Sequence, residues 1–320
     1  MKKINFVVHI PKTAGTSFRY VLQKNESVRM LYDYGKESPE STPALVGVTP
    51  KELVPESEIF DAGKFNFICG HVAYIKYAHC VSPGSVASIV RNPIERVVSE
   101  YQHVRRHEGY AHGFAEFSSE PFQQNKQWRM LKGLDQKTGA LIGLTSHYKY
   151  FVEMFSDRLG LPMESIAMNC APDSDAEGRI NIPPGEIKSA YLDNKQDMDF
   201  FFEKARAFSE LVKSAGYNTM PTEDTNWNCL IAGRKKIVGW VSCAATDCYF
   251  IKISVNGERR AVVALDQSRD DIYGMGLSEN PLCGFSYPLA LLGAEKGDKV
   301  TVGLFGAPEF SKTLHIDWEH

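Results

Sequence analysis

Apolar residues over the first 215 positions fall into short runs that alternate with helical stripes. Ile4-Asn5-Phe6-Val7-Val8-His9-Ile10 reads as a buried first strand, and 16–23 as the helix after it. Residues 64–69 and 85–90 are further short apolar strands, the second running into a helix from Pro93 to about Arg106. More helices are expected at 122–132, 147–158 and 195–215. In the last of these, Met198, Phe201, Phe202, Ala205 and Phe208 recur at helical spacing and mark a core-facing stripe. Strands alternating with helices predict a parallel sheet covered by helices, an α/β fold. The stretch 36–58 is rich in Pro, Ser, Thr and Glu and reads as a loop with little regular structure.

Around 216–227 the texture changes. Pro221, Thr222, Asp224 and Asn226 form a polar linker, and short β-rich runs follow at 236–242, 248–255, 260–265, 284–292 and 299–304. Val255-Asn256-Gly257-Glu258 is a hairpin signature, because Asn-Gly tolerates the positive φ angles of a type I′ turn. Gly297-Asp298 marks another turn. The pattern predicts an α/β domain over 1–220 and a smaller all-β, sandwich-like domain over 225–320. With 320 residues, two domains also suit the length, at about 100–200 residues each.

Composition narrows the class. The chain is 43% apolar and 23% charged, which excludes disordered, collagen-like and coiled-coil proteins. A net charge of −3 speaks against a protein held to nucleic acid by phosphate contacts. No run approaches the ~20 apolar residues of a membrane span. Lys2 and Lys3 precede an apolar stretch that is short, broken by Asn5 and His9 and without a small-residue cleavage site, so a cytoplasmic location is expected. The seven cysteines (69, 80, 170, 229, 243, 248 and 283) are odd in number and scattered, with no CxxC pair, and read as free thiols. Nothing in the sequence speaks to the oligomeric state.

Two segments carry chemistry. His9-Ile10-Pro11-Lys12-Thr13-Ala14-Gly15-Thr16-Ser17-Phe18 follows the first strand and opens a helix. The free N–H groups and positive dipole end of that helix, a small-residue turn at Gly15, the hydroxyls of Thr16 and Ser17 and the charge of Lys12 together form a cradle for a phosphate or sulfate ester. It is not the common nucleotide loop, in which Lys follows the second Gly, because here Lys12 precedes the only Gly. The second segment, Ser88-Ile89-Val90-Arg91-Asn92-Pro93-Ile94-Glu95-Arg96-Val97-Val98-Ser99-Glu100-Tyr101, is again strand, turn and helix. Asn92 suits the N-cap, Pro93 the first helical position, and Glu95 a capping box. Ile94, Val97, Val98, Tyr101 and Val104 form the buried stripe. Ser99 lies about two turns beyond Asn92 on the same face, so Arg91 and Ser99 are placed to converge on one phosphate, with Arg91 as a bidentate fork. In open α/β sheets ligands bind at such carboxyl strand ends.

The pair PKTAGTSF and IVRNPIERVVSEY resembles the signature pair of the sulfotransferases, and more narrowly that of the carbohydrate enzymes that include the heparan sulfate 2-O- and 6-O-sulfotransferases. The resemblance extends over about 4–215. Ile68-Cys69-Gly70-His71-Val72-Ala73-Tyr74 is similar to the segment carrying the catalytic His of that family. Asn125-Lys126-Gln127-Trp128-Arg129-Met130-Leu131 resembles an Asn-x-Gln-x-Arg-Met-Leu stretch of the 6-O group, and Ile142-Gly143-Leu144-Thr145 resembles a Gly-Leu-Thr-Glu segment, with Ser146 where relatives carry Glu. The chain reads without the membrane anchor of the eukaryotic enzymes. The resemblance implies a P-loop-like, three-layer core. It also implies that 3′-phosphoadenosine 5′-phosphosulfate (PAPS) binds with its 5′-phosphosulfate on Lys12, Thr13, Ala14, Gly15, Thr16 and Ser17 and its 3′-phosphate on Arg91 and Ser99.

On this reading Lys12 stabilises charge on the leaving phosphate, His71 is the general base, and no metal is needed. His9 is the rival base, with a structural role or donor contact expected instead. His79, His103 and His107 read as exposed. Gln127, Arg129 and Thr145 are secondary candidates for donor or acceptor contacts. Arg105, Arg106 and His107 form a basic cluster that suits a helix C-terminus or an acidic glycan. The expected partner is a carbohydrate acceptor rather than nucleic acid. Two other readings stay open. One is an atypical nucleotide-dependent kinase. The other is a non-catalytic glycan-binding protein working through the β domain, where Trp240, Tyr249, Phe250, Tyr273, Phe285 and Tyr287 form either a sugar platform or a sandwich core.

Overall fold

The computed structural model describes residues 4–49, 64–134, 138–166 and 181–318. Part of the loop expected at 36–58, and Cys170, lie outside them. Five parallel strands build the first part: β1 (Asn5–Val8), β2 (Met30–Asp33), β3 (Phe67–Gly70), β4 (Val86–Val90) and β5 (Leu141–Leu144), in the order β2-β3-β1-β4-β5. The inner strands are continuous apolar runs, as strands covered on both faces must be. The flanking helices are α1 (Gly15–Gln23), α2 (Pro93–His107), α3 (Phe114–Ser119), α4 (Lys126–Leu131), α5 (Tyr148–Leu159), α6 (Pro184–Asp193) and α7 (Lys195–Ser214). The chain adds β2 and β3 on one side of β1, then β4 and β5 on the other. The carboxyl ends of β3, β1 and β4 therefore lie side by side where the strand order reverses.

The C-terminal part consists of antiparallel sheets. β6 (Trp227–Ala232), β7 (Lys236–Val241) and β10 (Gly284–Pro288) form one, in the order β10-β7-β6. β8 (Ile251–Val255), β9 (Glu258–Val263), β11 (Lys299–Leu304) and β12 (Ala307–His315) form the other, in the order β12-β11-β8-β9. Ile237, Val241 and Phe285 of the first sheet share a buried core with Ile253, Val255, Val300 and Val302 of the second. Asn256 (φ 51°) and Gly257 (φ 85°) make the expected primed turn, with Val255 paired to Glu258. Tyr249, Phe250, Phe285 and Tyr287 are buried, so they pack the interior and do not form a sugar platform; Tyr273 is exposed. The short helix α8 (Asp270–Gly274) lies between the sheets in sequence.

The two parts are packed together. The His147 ring stacks on Phe250 with centroids 3.8 Å apart, and its Nε2 lies 3.3 Å from the Tyr249 carbonyl. Cys248, Phe250 and Val262 are buried in the core of the α/β part. Several elements escape the hydrophobic pattern. β2 buries only Leu31 and the polar Asp33, β12 buries only Ala307, and α6 is only weakly amphipathic. The helix expected from 122 starts only at Lys126, because Asn125 adopts φ 50° and is bonded to Asp193, Asn194 and Asp197. Among the described residues no helix is long and apolar enough to cross a membrane.

Candidate active site

β1 hands over to α1 through a turn in which Lys12 (φ 67°) and Ala14 (φ 66°) both adopt the left-handed region. A non-glycine residue held there costs on the order of 1–3 kcal/mol, a strain that clusters at ligand clamps. Ala14 is the N-cap and offers no capping side chain, so the first-turn N–H groups of α1 have no side-chain acceptor from the cap. Thr13 is buried and donates its hydroxyl to the Ile10 carbonyl at 3.0 Å, tying the turn internally. Gly15 serves a different purpose from the one its spacing suggests. Its φ is not positive, but a Cβ there would lie 1.9 Å from His9 Cδ2. Thr16 is exposed at the helix start and Ser17 is buried.

His9 fills that space. Its Nδ1 is 2.9 Å from the Tyr34 hydroxyl, and its ring lies edge-on to His71 at 4.5 Å. Burial, followed by the neighbouring His71 and Arg19, pushes its pKa down to about 3, so His9 is a neutral structural residue at ordinary pH. His71 follows Gly70, whose Cβ would collide with the Asp33 carbonyl at 1.9 Å, so β3 runs flush against β2 there. His71 packs its ring against His9 and Tyr34 while another edge reaches solvent. Desolvation lowers its pKa; Glu100 opposes this, and Lys126 and Arg19 add to it. His71 is therefore neutral and able to accept a proton near pH 7.

The second segment behaves as a helix start. The Asn92 Oδ1 accepts from the N–H groups of Ile94 (3.0 Å) and Glu95 (3.3 Å), with Pro93 at the first helical position. Glu95 does not close the expected capping box; its carboxylate pairs with Arg91 Nε at 3.1 Å. Arg91 also donates through Nη1 to the Lys12 carbonyl at 3.3 Å, so the two segments meet. Ser99 sits half-buried on α2, two turns on. Lys12 is half-buried, and desolvation lowers its pKa, against Glu100 and together with Arg91 and Arg106. Glu100 accepts from Lys126 Nζ at 2.8 Å and from the fully buried Arg96. Burial disfavours its ionisation, and these two cations overcome that.

The secondary candidates take supporting roles. Gln127 is fully buried, accepting from the Arg91 N–H and donating to the Arg91 carbonyl, both at 2.8 Å. Asp197 in turn receives the N–H groups of Gln127 (3.1 Å) and Trp128 (2.7 Å). Thr145 donates to the Val90 carbonyl at 3.2 Å, while Arg129 is exposed and bonded to the Phe122 carbonyl at 2.9 Å. A cleft of about 260 Å³ opens beside the β1–α1 turn, lined by Pro11, His71, Ala73, Lys126, Arg129 and Met130, with the exposed Phe122 at its rim. Tyr34, Arg19, Glu100 and Lys126 gather around these groups without a motif of their own in the sequence, because they lie on elements whose convergence depends on the sheet order. Among the described residues no group of three or more His, Cys, Asp or Glu side chains is placed to hold a metal ion.

A parallel sheet with two helix starts side by side at the carboxyl ends of neighbouring strands defines an open α/β protein with its cleft at that edge. The model of the Sulfotransferase family matches residues 3–174, more than half of the chain, and the chain belongs to that family. The match ends before α6, α7 and all of the antiparallel part. The chain is similar to a solved sulfotransferase from Alicyclobacillus acidocaldarius, with 14% identity over 62% of this chain and 97% of that one and a TM-score of 0.35. It is also similar to the mouse sulfotransferase SULT7A1 complexed with PAP, with 18% identity over 59% of this chain and 67% of that one and a TM-score of 0.35. No curated protein matches.

Proposed function

We propose that the protein transfers the sulfuryl group of PAPS to a hydroxyl of a carbohydrate, with 1–220 as the catalytic unit and 225–320 as an accessory one. The observation that carries the reading is the 3.3 Å hydrogen bond from Arg91 Nη1 to the Lys12 carbonyl. It joins two helix starts on neighbouring strands into one anion-receptive wall. A donor with phosphate groups at two ends suits that wall, the α1 turn taking the phosphosulfate end and Arg91 with Ser99 the 3′-phosphate.

In the transfer, the S–O bond to the donor phosphate breaks and a new bond forms to the acceptor oxygen. The acceptor proton passes to the neutral imidazole of His71, and Lys12 opposes the charge that grows on the leaving phosphate oxygen. Both residues line or adjoin the cleft, and holding the two reactants there supplies up to about 7–11 kcal/mol of the barrier in the best-oriented cases. The exposed Phe122 ring and the Lys126 and Arg129 cations support a sugar acceptor, an aromatic face and polar donors being what a pyranose ring and its substituents contact.

A thermal-shift comparison of adenosine 3′,5′-bisphosphate (PAP) with ATP plus Mg²⁺ tests the donor, since a ligand bound by the native state raises its stability. PAP is expected to raise the melting temperature and ATP with Mg²⁺ is not; the reverse result makes the protein a kinase. Transfer of labelled sulfuryl groups across a panel of glycans tests the acceptor, and label found only on non-carbohydrate acceptors overturns that part.

A further inference from the structure

The start of α2 is held from two sides. Asn92 is 3% exposed, and while its Oδ1 caps the helix, its Nδ2 donates to the Arg260 carbonyl of β9 at 2.6 Å. A reversed amide would set oxygen against that carbonyl, so the C-terminal part selects the orientation in which Asn92 caps. Three residues on, Glu95 pairs with Arg91 and lies within electrostatic reach of Tyr191 and Tyr287. Tyr191 of α6 bridges the parts: its hydroxyl donates to the Leu291 carbonyl at 2.9 Å, and the Arg260 guanidinium lies 4.1 Å above its ring. Tyr287 of β10 is 4% exposed; its hydroxyl makes no aligned hydrogen bond, and the Glu95 carboxylate is its nearest acidic neighbour.

We propose that the C-terminal β-rich part is a positioning element of the donor site, holding the start of α2 through Asn92 and receiving Glu95 on Tyr287 when Arg91 turns to a phosphate. The proposal rests on the sulfotransferase reading above. Without donor, Arg91 spends Nε on Glu95. A bidentate grip on phosphate turns the guanidinium away from that carboxylate. Glu95 would then be left half-buried without its cation, a costly state unless another donor replaces it. The unpaired Tyr287 hydroxyl is that donor, which gives a buried orphan a purpose. Asp would cap as well as Asn in an isolated helix, but it cannot donate to the Arg260 carbonyl.

Two variants and one exchange measurement test this. Tyr287→Phe removes only the hydroxyl. Asn92→Ser keeps a capping oxygen and replaces the Nδ2 donor by a hydroxyl one atom nearer the backbone, withdrawing it from the Arg260 carbonyl. Both are expected to weaken PAP binding in calorimetry and to raise the donor KM by roughly 5- to 50-fold, in the range of ordinary site-to-site couplings, with the acceptor KM unmoved. By reciprocity, PAP added to the unmodified full chain should slow amide hydrogen exchange in β9 and β10. Unchanged PAP affinity in both variants, together with unchanged exchange in β9 and β10 of a wild-type protein that does bind PAP, overturns the proposal. Failure of the wild-type protein to bind PAP overturns the sulfotransferase donor reading itself. A purely structural role for these residues would lower the melting temperature without separating the donor KM from the acceptor KM.

Discussion

The imidazole of His9 occupies the volume that a side chain on Gly15 would need, with a Cβ at 15 falling 1.9 Å from Cδ2. The glycine of the β1–α1 turn is therefore set by a residue six positions earlier in the chain, through packing and not through its own backbone angle. Gly15→Ala should force the buried ring out, breaking its contacts with Tyr34 and His71. A loss of about 1–3 kcal/mol is expected from such overpacking. Urea unfolding measures it, alongside a fall in PAP affinity; a variant that melts and binds like wild type would show that the ring moves freely.

Gln127 grips both polar groups of the Arg91 peptide from full burial. Gln127→Leu keeps the volume and strands an N–H and a carbonyl. At about 1–3 kcal/mol for each buried unsatisfied group, the variant should lose a few kcal/mol and raise the donor KM. Calorimetry with PAP and steady-state kinetics check this, and a donor KM that does not move would separate Gln127 from the placement of Arg91.

Lys12 and His71 both reach solvent, so their removal should spare the fold. Lys12→Ala and His71→Ala are each expected to cut kcat by roughly 10²–10³-fold, the scale of a lost charge stabiliser or general base. Circular dichroism melts establish folding. Near-normal turnover in His71→Ala would assign the base elsewhere.

Burial lowers the pKa of both histidines, and the two are read out differently, His71 in activity and His9 in stability. The His71 pKa lies below 6.5, towards about 4, so kcat/KM for the donor should hold through pH 6 and fall only below it. Once donor charge sits beside the ring its pKa rises, so the acid limb of kcat should lie at higher pH than that of kcat/KM. A limb at 6.5 in both profiles would contradict this.

His9 acts on stability. The unfolded chain takes up a proton at His9 near 6.5, the folded one only near about 3, so protons favour unfolding. Its contribution is complete above 6.5, shrinks as pH falls through that window, and disappears below about 3. His9→Gln should flatten the pH dependence of the unfolding free energy between those limits.

Much of the site is legible in the chain because its parts are local. A strand followed by a small-residue turn and a capped helix is written in consecutive residues, so Lys12, Arg91, Asn92 and Pro93 announce themselves. The same holds for the Asn256-Gly257 hairpin and for the change of texture near 216–227. β12, with Ala307 as its one buried position, and β2, which puts the polar Asp33 at a buried one, leave too weak a hydrophobic period to be read.

The sequence alone determined two strand–turn–helix starts, a histidine at the end of a strand, and two kinds of sheet, because hydrophobic period and capping chemistry are properties of neighbours along the chain. Tertiary structure alone decided that β1 lies between β3 and β4, which brings Lys12, His71 and Arg91 to one rim. It alone set His9 against Gly15, turned Gln127 from a candidate ligand contact into a clamp on the Arg91 peptide, and brought β9 onto the N-cap of α2. Those relationships depend on strand order and on which buried polar group finds which partner, and neither has a period along the chain.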